Sequence, residues 1–306
     1  MIRWTCGWTT LAVLAGAAAG SSAGAQLRDP TEGGIYYTVP GMDRVVVRSN
    51  LAFKTVPSLN GSPGPVELKL DAYLPPDRPA GSRAPALIFV HGGNSPGAPP
   101  LKGLDIFRTW GRVAAASGLV GITFNHRMTT QDNVDEAASD LIDLLSYVRR
   151  NAADLRVDPD RLCVMFFSAG GPISSVLLRN PQPFVRCVVL YYPYLDLEHL
   201  TIKTPFRAPY PQAHADSLRD YSPALALAKH TGELPPILLA RAGRDAIPNL
   251  NASISRFVDA AMQNNVRLDF YIHPTGQHGF DFANRDERTR EIIAATLAFV
   301  MRHTAS

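Results

Sequence analysis

Leu162-Cys163-Val164-Met165-Phe166-Phe167-Ser168-Ala169-Gly170-Gly171-Pro172 decides the reading of this 306-residue chain. Six apolar residues run without a break, as expected of a strand covered on both faces. A serine follows at once, then three small residues, and Pro172 to Arg179 reads as a helix. A serine on a tight strand-to-helix turn projects its hydroxyl beyond the sheet. The helix start behind it aims backbone N–H groups at any negative charge that develops there. Ser168 is therefore the candidate nucleophile.

Working outward, the same continuous apolar style recurs at Ala86 to Val90, Leu119 to Phe124, Val185 to Tyr191 and Ile237 to Ala240, with a more alternating strand at Val266 to Ile272. Upstream the pattern differs. Val45 to Val47 and Leu51 to Phe53 suggest a first strand or hairpin, and the cluster Asn60 to Pro65 a turn. From Val66 to Tyr73 apolar and polar residues alternate, which predicts a strand with Glu67, Lys69, Asp71 and Tyr73 on a wet face. Helices are expected near Phe107 to Ser117, Asp132 to Asn151, Leu250 to Asn264 and Arg285 to His303. The second opens with acids and closes on Arg149 and Arg150, matching the helix dipole. An antiparallel start followed by strand–helix alternation implies an α/β protein. Its sheet is mixed, mainly parallel and of the eight-stranded type, with helices on both faces. Function in such sheets gathers at the carboxyl ends of the strands.

Two further strand ends carry suggestive residues. Asp245 follows the next-to-last strand in Ala242-Gly243-Arg244-Asp245. His278 follows the last in Thr275-Gly276-Gln277-His278-Gly279-Phe280. His278 would take the proton of Ser168, and Asp245 would hold the imidazole tautomer and stabilise the imidazolium. Asp269 and Asp281 compete with Asp245, and His273 with His278, but Asp269 lies inside a strand and Asp281 comes after the histidine. His91-Gly92-Gly93, after the strand ending at Val90, would bring backbone N–H groups of Gly92 and Gly93 to a substrate carbonyl. With the N–H of Ala169 they would form an oxyanion hole. His91 reads as a structural residue ordering that loop, and His126 as loop packing.

From these motifs the chain resembles the α/β-hydrolases of the carboxylesterase and acetyl-esterase type, near the hormone-sensitive-lipase and dienelactone-hydrolase-like branches. The resemblance spans Val66 to His303. It implies ester hydrolysis through a Ser168–His278–Asp245 triad; the short lid and rim loop given below suggest an open site that takes small to medium acyl groups, carried by a small-molecule or polysaccharide-linked alcohol. It departs from the pattern twice. Phe166 stands where the nucleophile turn usually has glycine, a glycine that lets helix and strand pack closely; Gly170 or Gly171 would have to house the Phe166 side chain. Asn94 stands where lipase-like members carry a third glycine. Residues 192–222, rich in Pro, Tyr and His, read as a small lid insertion, and Ser95 to Pro100 as a rim loop. Two other functions stay open: a prolyl-oligopeptidase-type peptidase, for which the segment before the first strand is too short to build the usual propeller, and a catalytically weak binding protein.

The N-terminus adds a location. Arg3, the apolar run Leu11 to Ala19 and Ala23-Gly24-Ala25 form a secretory signal over residues 1–25, cut before Gln26. That leaves one catalytic domain, 26–306, secreted or periplasmic, with no membrane span in its mature form. Export permits a disulfide between Cys163 and Cys187, but each sits in a strongly apolar run and they read rather as two buried free thiols. The net charge of +3, spread along the chain, excludes a nucleic-acid binder. Histidines are not clustered at metal-ligand spacing, and no glycine-rich phosphate loop follows a strand, so neither metal nor cofactor is expected.

Overall fold

The computed structural model describes residues 33–59, 63–79, 81–92, 101–127, 133–197, 218–230 and 232–305. Among them eight strands form one sheet: β1 (Val46–Val56), β2 (Val66–Leu74), β3 (Ala84–Val90), β4 (Val120–Phe124), β5 (Val157–Phe167), β6 (Val185–Tyr191), β7 (Ile237–Ala242) and β8 (Leu268–His273). Their order across the sheet is β1-β2-β4-β3-β5-β6-β7-β8. β1 and β2, and β2 and β4, pair antiparallel; every other neighbouring pair is parallel. The helices are α1 (Asp105–Ala116), α2 (Val134–Arg150), α3 (Ser175–Arg179), α4 (Pro223–Lys229), α5 (Leu250–Gln263), α6 (Phe280–Ala283) and α7 (Glu287–Thr304).

The continuous apolar strands are continuous because both faces are packed. Along β5, Leu162, Val164 and Phe166 enter one core with residues of α2, α3, α4 and α5. Cys163, Met165 and Phe167 enter the other, with residues of α1, α6 and α7. Side chains alternate across a strand, so a covered sheet needs apolar residues at every position. Each large aliphatic or aromatic side chain so buried contributes roughly 1.5–3 kcal/mol to hydrophobic stabilisation. Helix ends follow the chemistry of the sequence: the Asp286 carboxylate accepts from the Thr289 N–H at 2.9 Å to cap α7, whose last turn carries Arg302 and His303.

Three sequence expectations are corrected. Asp71 and Tyr73 are buried, not on a wet face. Gly111 of α1 makes room for the Tyr73 ring: a Cβ at Gly111 would stand 2.5 Å from that ring. Asp71 is neutralised by Lys102, whose Nζ donates to both carboxylate oxygens at 2.7 Å. Secondly, Cys163 and Cys187 are joined in a disulfide. Parallel pairing of β5 with β6 sets the two residues opposite each other, with Cα atoms 4.8 Å apart, inside the span a disulfide bridges. Thirdly, a Cβ on Gly170 would meet first the His91 and Val90 backbone, and one on Gly171 the Tyr194 backbone and Pro193, not Phe166. The Phe166 ring is fully buried in the same core as Val90, Phe124, Ile173 and Leu190.

The helix after Ser168 starts as a 3-10 turn, Ser168–Ser174, and becomes α-helical only at Ser175. The signal segment 1–25 and the rim loop 95–100 lie outside the described residues, as does most of 192–222, of which 192–197 and 218–222 are described.

Candidate active site

Ser168 follows β5 directly with φ +50, a left-handed conformation that non-glycine residues adopt only when their surroundings hold them there. The surroundings are visible: the Tyr194 N–H donates to the Ser168 carbonyl at 3.0 Å. On the other side, a Cβ at Gly92 would stand 3.2 Å from Ser168 Cβ and 3.5 Å from the Ala169 nitrogen. The β3 terminus therefore passes in contact with the serine and with the backbone N–H of Ala169. Gly93 lies outside the described residues.

The turns after β7 and β8 meet at the same place. The Gly243 N–H donates to the His273 carbonyl and the Arg244 N–H to the Gly276 carbonyl, both at 2.8 Å. The contact is close enough that a Cβ on Gly243 would lie 2.4 Å from the Pro274 carbonyl oxygen. Locking the two turns together sets Asp245 beside His278. His278 Nδ1 donates to Asp245 Oδ2 at 2.7 Å, and the Ser168 hydroxyl donates to His278 Nε2 at 2.8 Å. The Asp245 carboxylate is wholly buried, and its Oδ1 accepts from the Ile247 N–H at 3.0 Å. Ser168, His278 and Asp245 thus form one continuous hydrogen-bonded chain.

The competing residues are engaged elsewhere. His273 is buried, and its Nε2 meets Asp286 at 2.9 Å and Thr289 at 3.1 Å. Asp269 pairs with Arg302 on the surface. Asp281 accepts from Trp110 and Tyr192.

His91 and His126 stack with ring centroids 3.7 Å apart. His91 Nδ1 donates to the Gly92 carbonyl at 2.8 Å, and His126 Nε2 to the His91 carbonyl at 3.1 Å. Burial pushes His91 down to about 4 and His126 well below the ordinary histidine range, so both rings are neutral at pH 7. They tie the Gly92 backbone in place. Among the described residues no three His, Cys, Asp or Glu side chains are grouped to hold a metal ion.

Sequence reasoning missed Tyr192 and its partners. The Tyr192 ring meets the His278 imidazole edge to face, centroids 4.8 Å apart. No spacing in the sequence links Trp110, Tyr192 and Asp281, which come together only through the sheet.

The BD-FAE family profile matches residues 70–182. Carboxylesterase NlhH of Mycobacterium tuberculosis is 25% identical over 72% of this chain and 73% of its own length. Esterase LipQ of the same organism is 23% identical over 78% of this chain and 60% of its own length. Among solved structures, the apo form of Thermogutta terrifontis esterase 2 superposes with a TM-score of 0.64 at 22% identity, covering 88% of this chain and 98% of its own. The same esterase has been solved with propionate bound, at a TM-score of 0.62 and 23% identity over 85% of this chain and 96% of its own. This chain has the α/β-hydrolase fold, and its relatives in sequence are carboxylesterases.

Proposed function

We propose that the protein is a serine esterase that cleaves carboxylic esters of small to medium acyl groups through an acyl-enzyme intermediate. The observation that carries this reading is the hydrogen-bonded chain from the Ser168 hydroxyl through His278 to the buried Asp245 carboxylate. Ser168 Oγ attacks the ester carbonyl carbon while its proton passes to His278 Nε2. Asp245 holds the tautomer that leaves Nε2 free to accept, and stabilises the imidazolium. The N–H of Ala169, with those of Gly92 and Gly93, is the donor set for the tetrahedral oxyanion, each such donor contributing roughly 3 kcal/mol to the transition state. Collapse expels the alcohol, which takes the proton back from His278. Water, deprotonated by His278, then releases the carboxylic acid and restores Ser168. The propionate- and butyrate-bound forms of Thermogutta terrifontis esterase 2 support a site suited to short acyl groups.

The test is hydrolysis of nitrophenyl esters of rising chain length by the purified protein and by Ser168→Ala. Short esters are expected to turn over with the wild type alone, with labelling by a fluorophosphonate probe that disappears in the variant. Turnover confined to long chains would refute the acyl-size reading, and equal turnover by the variant would refute the nucleophile. Release of chromophore from a peptide substrate instead would favour the peptidase.

We infer also that the protein is exported by way of residues 1–25. The disulfide supports this, since such bonds persist in oxidising compartments. Mass analysis of the protein from the periplasm or medium should give a chain starting at Gln26; an intact N-terminus would overturn the inference.

A further inference from the structure

A second buried acid lies beside the proposed proton carrier. Asp281, three residues beyond His278 on α6, is fully buried. Both its carboxylate oxygens are occupied: the Tyr192 hydroxyl donates to Oδ1 at 2.7 Å and Trp110 Nε1 to Oδ2 at 2.8 Å. Both donors are neutral, and among the described residues no lysine or arginine pairs with Asp281. A buried carboxylate held by neutral donors alone keeps an incompletely compensated charge. The neighbour that feels this charge and can become cationic is His278.

Tyr192 is the mechanical link. One edge of it reaches the His278 ring, and its hydroxyl is fixed on Asp281. Its backbone is held at φ +36 with its N–H on the Ala240 carbonyl at 2.7 Å, so the ring has a fixed origin as well as a fixed tip. Phe280 closes the other side, 5.6 Å from the Tyr192 ring centroid.

We propose that Asp281 is a positioning residue for His278: through Tyr192 it holds the imidazole in line with Ser168, and its negative charge stabilises the imidazolium formed when Ser168 gives up its proton. The inference rests on the esterase reading above. Asp281 exchanges no proton with substrate; the proton moves between Ser168, His278 and the leaving alcohol only. The groups facing His278 are Asp245 at Nδ1, Ser168 at Nε2 and Tyr192 at the ring; those facing Asp281 are Trp110, Tyr192 and, through space, Tyr191 and His278. Burial pushes the Asp281 carboxyl up to about 6, against the pull of Trp110, Tyr192 and His278. Its charge is therefore present above that pH and fades below it.

Two variants separate position from charge. Asp281→Asn keeps the shape: its amide oxygen can accept from Trp110 and its NH2 can donate to the Tyr192 hydroxyl. Tyr192→Phe keeps the ring and removes the hydroxyl. The pH profile of kcat/KM for nitrophenyl acetate is recorded with wild type and both variants, beside their melting temperatures. With Asp281→Asn the acid limb should move to lower pH by about half a unit or more. The kcat of that variant should fall about tenfold while KM stays within about twofold. Tyr192→Phe should lower kcat several-fold with a smaller movement of the limb. A purely structural Asp281 would lower the melting temperature and leave profile and kcat unchanged; that result, in either variant that folds, overturns the proposal. A wild type that hydrolyses no ester is a different failure, that of the esterase reading itself, and is seen before any variant is made.

Discussion

Gly170 lies against the carbonyl oxygen of His91 so closely that a Cβ built on it would stand 2.5 Å away. The turn that carries Ser168 and the strand end that carries Gly92 are therefore fitted to each other through backbone. With Phe166 in place of the usual first glycine, close packing rests on the small residues after the serine. Gly170→Ala is expected to force the two segments apart, at a cost of about 1–3 kcal/mol of stability. It should also cost most of the activity, because the proposed oxyanion donors at Gly92 and Ala169 lose their alignment. Thermal unfolding and ester turnover on the same preparation check both effects, and a variant of wild-type activity would show that the contact relaxes freely.

Asp245→Asn should leave the fold intact and reduce kcat by about 10³- to 10⁴-fold, because an amide can stabilise the wrong imidazole tautomer and cannot balance the imidazolium. Circular dichroism with burst kinetics tests this. A loss below tenfold would mean that another acid, such as Asp281, serves His278.

His91 and His126 give the fold a predictable acid sensitivity. Their folded-state pKa values lie below the unfolded value, so the unfolded chain binds protons that the native chain refuses. The stability they confer is full above about pH 6.5 and is lost as pH falls toward 4. His126→Gln, whose amide can still donate to the His91 carbonyl, should melt within a few degrees of wild type at pH 7.5. It should lose less than wild type between pH 6.5 and 4.5. Parallel curves would contradict the assignment.

Lys102 and Asp71 form a buried ion pair, with Asn50 also accepting from the Lys102 ammonium. Removing one partner strands a charge. Lys102→Met should cost about 3–5 kcal/mol, whereas Lys102→Met with Asp71→Leu should recover much of that loss. Denaturant melts of the single and double variants decide it, and additive losses would argue against coupling.

The disulfide should behave as a structural one. Both cysteines are fully buried, so reductant should leave the native protein intact and cleave the bond only in denaturant. Replacing both by alanine should lower stability by about 3 kcal/mol, the loop-closure value for a separation of 24 residues. Reduction of the native protein within minutes, seen by thiol titration, would contradict this burial.

What could be read from the sequence was whatever depends on strand ends. Ser168 and Asp245 follow continuous apolar runs and His278 a more alternating strand, and chain order alone brings such ends to one rim of a parallel sheet. What depends on register and on helix contacts could not be read. Cys163 faces Cys187 because β5 and β6 pair in one particular alignment, which two apolar runs do not specify. Tyr73 looked wet because its partner is an absence, the missing side chain of Gly111. The support beneath His278 is drawn from residues 110, 192 and 281, so no local window contains it.

The Cys163–Cys187 bond has one more consequence, for how the chain transmits force. Residues 164–186, which include Ser168 and all of α3, lie inside a covalent ring. Tension applied at the two ends of the polypeptide passes from β5 to β6 through the sulfurs and bypasses that ring. A single proteolytic nick within it leaves one molecule, not two. The turn that carries Ser168 thus bears none of that tension, and a cut beside it releases no fragment.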